Sequence, residues 1–391
     1  MPERGAAPKG PSVLLALFFW RSLDLEGGAG LVRGLVESFP GRRDQLAVLL
    51  PERRGVASDG AESAVPTGVE VHTYSGRTRP GMLRAYLREL RRLARQVDRL
   101  VLLENNPASH LLLRPWIPQH PGRVVHFSSP CVEAGPLATS ANLQSVLHWA
   151  TKSARVARWA ARLGGFHELR YVVSTGFQRD QLVRLGAPEG RVVVIPFAAA
   201  GMVWASTAGE RDGRHLVIGY LGHFSPVKGV PDLLRAVSVL LAEGLPVELR
   251  IAWSGKGSQA AEVRQLASEL PARAAVRIEG RVDVARFLSE LDVVVLPMRS
   301  ESFPHPPLVL VEALAAGVPV IASDAGGLPE LLRHGAWGDT FPCGDWRALA
   351  GVLRPLCADR GLLARWRRRI AAEAPAAFDN RAFWRALLGG E

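Results

Sequence analysis

Short apolar runs rich in β-branched residues alternate with helix-period segments along the chain, and this alternation limits the fold more than any other feature. In the first half the runs are VLLALFFW, QLAVLL, VEVHTY, DRLVLLE, VVHFS, YVVS and VVVIP; in the second they are VIGYLG, VELRIAW, VRIEG, VVVLP and VPVIAS. Helical patterns at 30–38, 82–97 and 177–185 lie among the early runs, and patterns at 231–243, 259–270, 284–291 and 308–316 among the later ones. Apolar strands separated by helices mean parallel sheets covered on both faces, the doubly wound α/β arrangement. At 391 residues the chain exceeds one ordinary core, so two such units are expected. Residues 1–200 would form the first and 201–375 the second, joined through the Gly-, Ala- and Ser-rich stretch from Ala198 to His215. A last helical segment, 376–391, follows a break expected at Ala374-Pro375 and would pack away from the second unit.

Charge divides the two halves. Residues 1–205 hold 26 Lys+Arg against 16 Asp+Glu (26 − 16 = +10), whereas 206–391 hold 22 against 21 (+1), together the net +11. Such a basic half suggests an anionic partner. From Met82 the chain reads MLRAYLRELRRLARQVDRL, placing Arg84, Arg88, Arg91, Arg92, Arg95 and Arg99 on one side of a helix, with Leu83, Leu87, Leu90, Ala94 and Val97 on another. This pattern fits a solvated outer helix, and it also fits peripheral docking on an anionic membrane. No recognition fold or interleaved aromatic set accompanies the charge, so nucleic acid is not an expected partner. Cys131, Cys343 and Cys357 are widely spaced without a CxxC pair, which argues against a disulfide framework or structural zinc and fits a reducing cytoplasm. The apolar stretch Ser12–Trp20 is shorter than the ~20 residues that span a bilayer and reads as a buried strand.

Chemistry concentrates in the second half. In GYLGHFSPVKG, Gly219–Gly229, a glycine turn follows a strand and precedes a helix, so backbone N–H groups and Lys228 can face an anion. The spacing is neither GxGxxG nor a Walker A loop, and by itself it also fits a surface lysine after a turn. Glu312 sits within an apolar helical run; it too fits an exposed helix-face glutamate. SDAGGLPELL repeats the strand–turn–helix layout, and Glu330 there suits a helix dipole. No Asp-x-Asp pair is present to hold a diphosphate-bound cation.

Taken in order, these segments resemble the donor domain of glycosyltransferase family 4 (glycosyl transferases group 1), retaining enzymes of the GT-B fold. LGHFSPVKG matches the family's Gly-x-x-x-x-x-Lys-Gly turn, and LPMRSESF…LVLVEALAAGVPVIASDAGGLPEL its paired-glutamate segment. FPCGDWRAL is similar to its Gly-Asp stretch; GGAG at Gly27–Gly30 and the segment Val172–Phe197 resemble its acceptor domain. The resemblance implies two Rossmann-like domains facing a cleft, a last helix at 376–391 that crosses back to the first domain, a nucleotide-diphospho sugar donor (a UDP-sugar before a GDP-sugar) and no metal. The acceptor would be a hydroxyl on a small natural product or a glycolipid or polysaccharide precursor. Lys228 would neutralise the leaving diphosphate beside Gly222 and His223, with backbone N–H groups of Leu308 and Val309 completing the cradle. Glu312 would bind the ribose, Glu301 would face the donor sugar, and Arg281 and Val282 would lie along the base. Gly27 and Gly28 would let the first domain's loop approach the donor.

Three departures accompany the match. His223 stands where the family commonly has an arginine. Ten residues, Ser302–Val311, separate the glutamates in place of the usual seven, with the insertion at Pro304–Pro307. His126 is displaced from the family's histidine place, which Ser129 fills; it fits a catalytic group and also a packed strand residue. His305, within the proline-stiffened insertion, is a candidate for contact with the sugar or acceptor. Alongside a metal-independent glycosyltransferase, these departures leave open a nucleotide-sugar-binding partner without catalysis, or a GT-B-fold epimerase.

Overall fold

The computed structural model describes residues 11–17, 26–52, 65–105, 123–127, 170–196, 202, 204–205, 214–253, 255, 257–271, 275–299 and 307–388. They form two compact units. Of the described residues, one unit takes those up to Pro196 together with Asp379–Leu388, and the other takes Met202–Phe378.

The first unit is a seven-stranded sheet of β1 (Val13–Leu17), β2 (Leu46–Pro51), β3 (Glu70–Tyr74), β4 (Arg99–Asn105), β5 (Arg123–Phe127), β6 (Arg170–Val173) and β7 (Val192–Val194). Its order is β3-β2-β1-β4-β5-β6-β7, with every pairing parallel. Side chains on a strand alternate between faces, and β1 shows the consequence. Leu14 and Ala16 join Tyr86, Leu90 and Leu93 of helix α2 (Arg79–Leu93) on one face. Val13, Leu15 and Leu17 join Val32, Leu35 and Val36 of α1 (Glu26–Glu37) on the other. Helix α3 (Gly176–Arg184) contributes Leu182 to the first of these clusters.

The second unit has six parallel strands: β8 (Leu216–Gly222), β9 (Val247–Trp253), β10 (Val276–Glu279), β11 (Val293–Leu296), β12 (Val320–Ser323) and β13 (Gly338–Phe341), in the order β10-β9-β8-β11-β12-β13. The described helices here are α4 (Val230–Ala242), α5 (Ala260–Ser268), α6 (Val284–Ser289), α7 (Leu308–Ala315), α8 (Leu328–Leu331), α9 (Trp346–Ala358) and α10 (Arg360–Ala377). Leu233 and Val237 of α4 and Leu349 and Leu353 of α9 pack on Ile218, Leu249, Ile251 and Val295.

All twelve apolar runs are strands. β13 was not among them, because GDTF is an edge strand that opens on a glycine and carries no apolar run. A Cβ at Gly338 would meet the Val320 carbonyl oxygen at 1.8 Å, which explains the glycine. Two further sequence readings change. The helix breaks at Phe378 and not at Ala374-Pro375: α10 runs through Pro375, with Ile370 and Ala374 buried along it. Phe378 is then pinned between Trp204 and Trp337, with ring centroids at 6.2 and 6.0 Å. The basic stretch Arg84–Arg99 is also not one helix. α2 ends at Leu93 because the N–H groups of Asp98 and Arg99 bond to the Ser12 carbonyl, drawing the chain into the sheet beside β1.

The last helix, α11 (Asn380–Leu388), completes the first unit's core with Phe383, Trp384 and Leu387. The Trp384 indole N–H donates to the Leu35 carbonyl (2.8 Å), while Arg99 and Arg170 donate to the carbonyls of Leu387 and Ala386 (both 2.8 Å). Guanidinium groups at a helix C-terminus satisfy carbonyls that have no partner within the helix.

Candidate functional site

In an open parallel sheet, ligands bind beyond the carboxyl ends of the strands where the winding reverses. In the second unit that point lies between β8 and β11, paired through Val293 with Ile218 and Val294 with Gly219. The chain leaving β8 makes a single 3-10 turn, Pro226–Lys228, before Gly229 opens α4. Gly229 has φ +63°, and a Cβ there would lie 1.8 Å from the Pro297 carbonyl oxygen, so neither its conformation nor its surroundings admit a side chain. The turn is braced from below by the Tyr220 hydroxyl, which donates to the His223 carbonyl (2.7 Å). Burial pushes that hydroxyl's pKa up, so it stays a donor.

Lys228 closes the turn, half-buried, with no carboxylate partner among the described residues. Desolvation lowers its ammonium pKa below the ordinary lysine value. A cation in this position, one residue before a helix N-terminus, is arranged to meet an anion supplied from outside the chain.

The exit of β11 forms the facing wall. The Met298 carbonyl accepts from Ser323 Oγ (2.7 Å) and Cys343 Sγ (3.3 Å), and the Arg299 N–H donates to the Val227 carbonyl (2.8 Å). Glu301 and His305 lie outside the described residues. The chain re-enters at Pro307, which caps α7; the N–H groups of Leu308 and Val309 open the helix with no acceptor among the described residues. Glu312 is half-buried in the second turn of α7. Arg281 and Val282 follow β10 and precede α6, whose first turn is capped by the Asp283 carboxylate accepting from the Arg286 N–H (2.8 Å). Gly222 ends β8, and His223, Lys228, Arg281, Val282, Leu308, Val309 and Glu312 all follow the carboxyl ends of strands in the same sheet.

Two other segments have plain structural duties. Asp345 of the Gly-Asp stretch caps α9, accepting from the N–H groups of Arg347 and Ala348 (both 2.9 Å). Glu330 lies in the first turn of the short helix α8. In the first unit, Gly27 and Gly28 stand in the first turn of α1, so the helix begins earlier than its period suggests and they are not loop residues. The backbone of His126 pairs with Val172 within β5. Sequence reasoning missed Tyr220, Asp232, Arg299, Ser323 and Cys343, the residues that hold the two walls; apart from Tyr220, which bonds to His223 three residues on, their partners lie 25 to 67 residues away in sequence, and no local spacing announces them.

Among the described residues, no group of three or more His, Cys, Asp or Glu side chains is close enough to hold a metal ion, and no helix is long and apolar enough to cross a membrane.

Comparison with known proteins agrees with this architecture. The sequence pattern of the family described as glycosyl transferases group 1 matches residues 207–373. The chain is 31% identical over 280 residues to the phosphatidyl-myo-inositol mannosyltransferase of Mycolicibacterium smegmatis, a match that covers 67% of this chain and 69% of that protein. It is 34% identical over 235 residues to the D-inositol 3-phosphate glycosyltransferase of Rhodococcus jostii, covering 54% of this chain and 49% of that one. The crystal structure of HepE from Anabaena in complex with UDP superposes with a TM-score of 0.70 at 19% identity, over 96% of this chain and 99% of that one. The fold is therefore the GT-B fold, built from two Rossmann-like sheets. The chain belongs to the glycosyl transferases group 1 family. It spans about half the length of the D-inositol 3-phosphate glycosyltransferase relatives, since the aligned part is 49% of the one from Rhodococcus jostii.

Proposed function

We propose that the protein transfers a glycosyl group from a nucleoside-diphosphate sugar to a hydroxyl acceptor, with the donor's anomeric configuration retained. The observation that carries this reading is Lys228, a desolvated cation without a carboxylate partner among the described residues, at the head of α4 and at the switch point of the sheet. In the reaction the bond from the anomeric carbon to the diphosphate breaks, a bond to the acceptor oxygen forms, and the acceptor proton leaves with the departing phosphate. Lys228 and the N–H groups of Leu308 and Val309 stabilise the charge that collects on the diphosphate, in the place a metal ion takes elsewhere. Glu312 accepts from the ribose hydroxyls and Glu301 orients the donor sugar. Gly222 and His223 line the phosphate turn, Arg281 and Val282 lie along the base, and His305 borders the sugar. Gly27 and Gly28 are assigned to the donor, and His126 is the further catalytic candidate.

A UDP-sugar is the favoured donor, supported by HepE having been solved with UDP and with UDP-glucose. The acceptor class takes its support from the relatives, whose names specify inositol 3-phosphate and phosphatidyl-myo-inositol. For such a lipid-borne acceptor, the exposed arginines of α2 offer peripheral contact with an anionic membrane, which sedimentation with anionic vesicles reads directly.

The test is turnover of a panel of nucleotide sugars. Glu312→Ala removes charge-assisted hydrogen bonds of about 1.5–3 kcal/mol each, so donor kcat/KM falls by about 10- to 100-fold. Unchanged kcat and donor KM in Glu312→Ala would sink its assignment. Tight nucleotide binding by calorimetry, with no transfer or hydrolysis, would favour the non-catalytic binding partner that His223 and the lengthened Glu301–Glu312 spacing motivate.

A further inference from the structure

We propose that the ion pair between Asp232 and Arg299 is a positioning device that locks the exit of β11, two residues before Glu301 in sequence, against the Lys228 turn. The inference rests on the glycosyltransferase reading and adds two residues to its machinery.

Asp232 is the third residue of α4 and only 1% exposed. Both of its carboxylate oxygens accept from Arg299, Oδ2 from Nε and Oδ1 from Nη2 (2.5 Å each). Arg235 Nη1 adds a third bond to Oδ1 at 3.2 Å. A bidentate pair of this kind fixes the plane of the guanidinium as well as its distance. The two partners are 67 residues apart in sequence, so the pair joins separate segments. In sequence, Asp232 comes four residues after Lys228 and Arg299 two before Glu301.

Every other contact at this junction works in the same direction. The Arg299 N–H is bonded to the Val227 carbonyl within the Lys228 turn, and Gly229 lacks a side chain where the Pro297 carbonyl oxygen presses against it. Ser323 and Cys343 hold the Met298 carbonyl from the opposite side. The segment Pro297–Arg299 is thus fixed on both sides just ahead, in sequence, of the lengthened Glu301–Glu312 spacing. Stability alone is a poor reason for the pair, because the buried Asp232 carboxylate loses its hydration while the Arg299 side chain, 41% exposed, is screened by solvent. Placement is the better one, since a displacement of about 1 Å in a reacting group can cost about 100-fold in rate.

The variants Arg299→Gln, Asp232→Asn and Arg299→Lys test the pair, each with transfer kinetics, UDP binding by calorimetry, melting temperature and hydrogen exchange of the peptide Asp292–Arg299. We expect kcat to fall by about 100-fold in Arg299→Gln and Asp232→Asn, with UDP affinity changed by less than about threefold. Arg299→Lys should recover part of the loss, and the double variant should be no slower than either single one, because both remove the same contact. Exchange in Asp292–Arg299 should quicken in all three. Unchanged kcat in Arg299→Gln overturns the proposal. So does a kcat loss that merely follows melting temperature and UDP affinity across the series, the signature of a structural role. If the wild-type protein transfers no sugar, the function reading fails, and exchange decides the pairing on its own: unchanged exchange in Arg299→Gln overturns it.

Discussion

Lys228 occupies a position that costs the ligand-free protein stability. Its pKa is lowered by desolvation, so the unfolded chain binds the proton more tightly than the folded one. The sign follows: the penalty is fully present below the folded pKa, and it is relieved as pH rises through that value towards the ordinary lysine pKa. Removing the charge should therefore stabilise the protein while damaging its ligand site. We predict that Lys228→Met raises the stability of the ligand-free protein by about 0.5–2 kcal/mol, as substitutions at strained functional sites do. The same variant should lose most of the melting-temperature increase that UDP gives the wild-type protein, because a bound anion supplies the missing counter-charge. Thermal unfolding with and without UDP checks both halves; a destabilised Lys228→Met would show that the ammonium has a stabilising partner. Lys228 and Gly229 were legible in the sequence, since a turn glycine before a helix is a local signal. Asp232 and Arg299 were not. An acidic residue in a first helical turn looks like an ordinary dipole partner, and only the parallel packing of β8 beside β11 brings a guanidinium to it.

At the scale of elements, helix α2 separates a buried stripe from a basic one. Met82, Tyr86, Leu90 and Leu93 are buried, whereas Arg84, Arg88, Arg91 and Arg92 are exposed, as is Arg95 in the turn that follows the helix. Arg88 and Arg92 share Glu89, at 3.5 and 2.9 Å, leaving Arg84, Arg91 and Arg95 without a carboxylate among the described residues. The sequence pattern identified the stripe but counted Arg99 within it. That residue opens β4 and spends its guanidinium on the Leu387 carbonyl. Helical period cannot register where a strand captures the chain, so the far end of the stripe was misread. The surviving cations define the membrane prediction. With about 1 kcal/mol per basic residue near an anionic surface, Arg84→Glu/Arg91→Glu/Arg95→Glu should abolish sedimentation with phosphatidylserine vesicles. Binding of the wild type should also weaken steeply with salt. Partitioning of the triple variant equal to wild type would rule out α2 as the contact. Arg99→Ala belongs to a different class and should lower stability, not vesicle binding.

At the scale of the whole molecule, the three apolar clusters formed by the described residues each lie within one unit. The first unit's core is nevertheless completed by the last helix of the chain, nearly two hundred residues after β7 in sequence by the count from Val194 to Asn380 (380 − 194 = 186). The alternating strand pattern made both sheets legible, because it is written locally in each run. The closing contact was suggested only by resemblance, because nothing in FDNRAFWRALL specifies which sheet it covers. Trp384 measures what that closure is worth. Its indole is buried, bonded to the Leu35 carbonyl (2.8 Å) and packed edge-on against Phe39 and Phe383 at 4.8 and 5.1 Å. Trp384→Ala should cost about 3–5 kcal/mol, the range for a buried tryptophan. Since the core it leaves belongs to one unit, the loss should appear there. Hydrogen exchange in β1 and β2 should quicken by about 100-fold or more, while β8 and β11 keep their wild-type rates. Equal acceleration in both sheets would mean that the chain opens as one cooperative body. In that case the final helix would stabilise the second unit's sheet as well, and a defect in the first unit would reach the Lys228 turn through global unfolding.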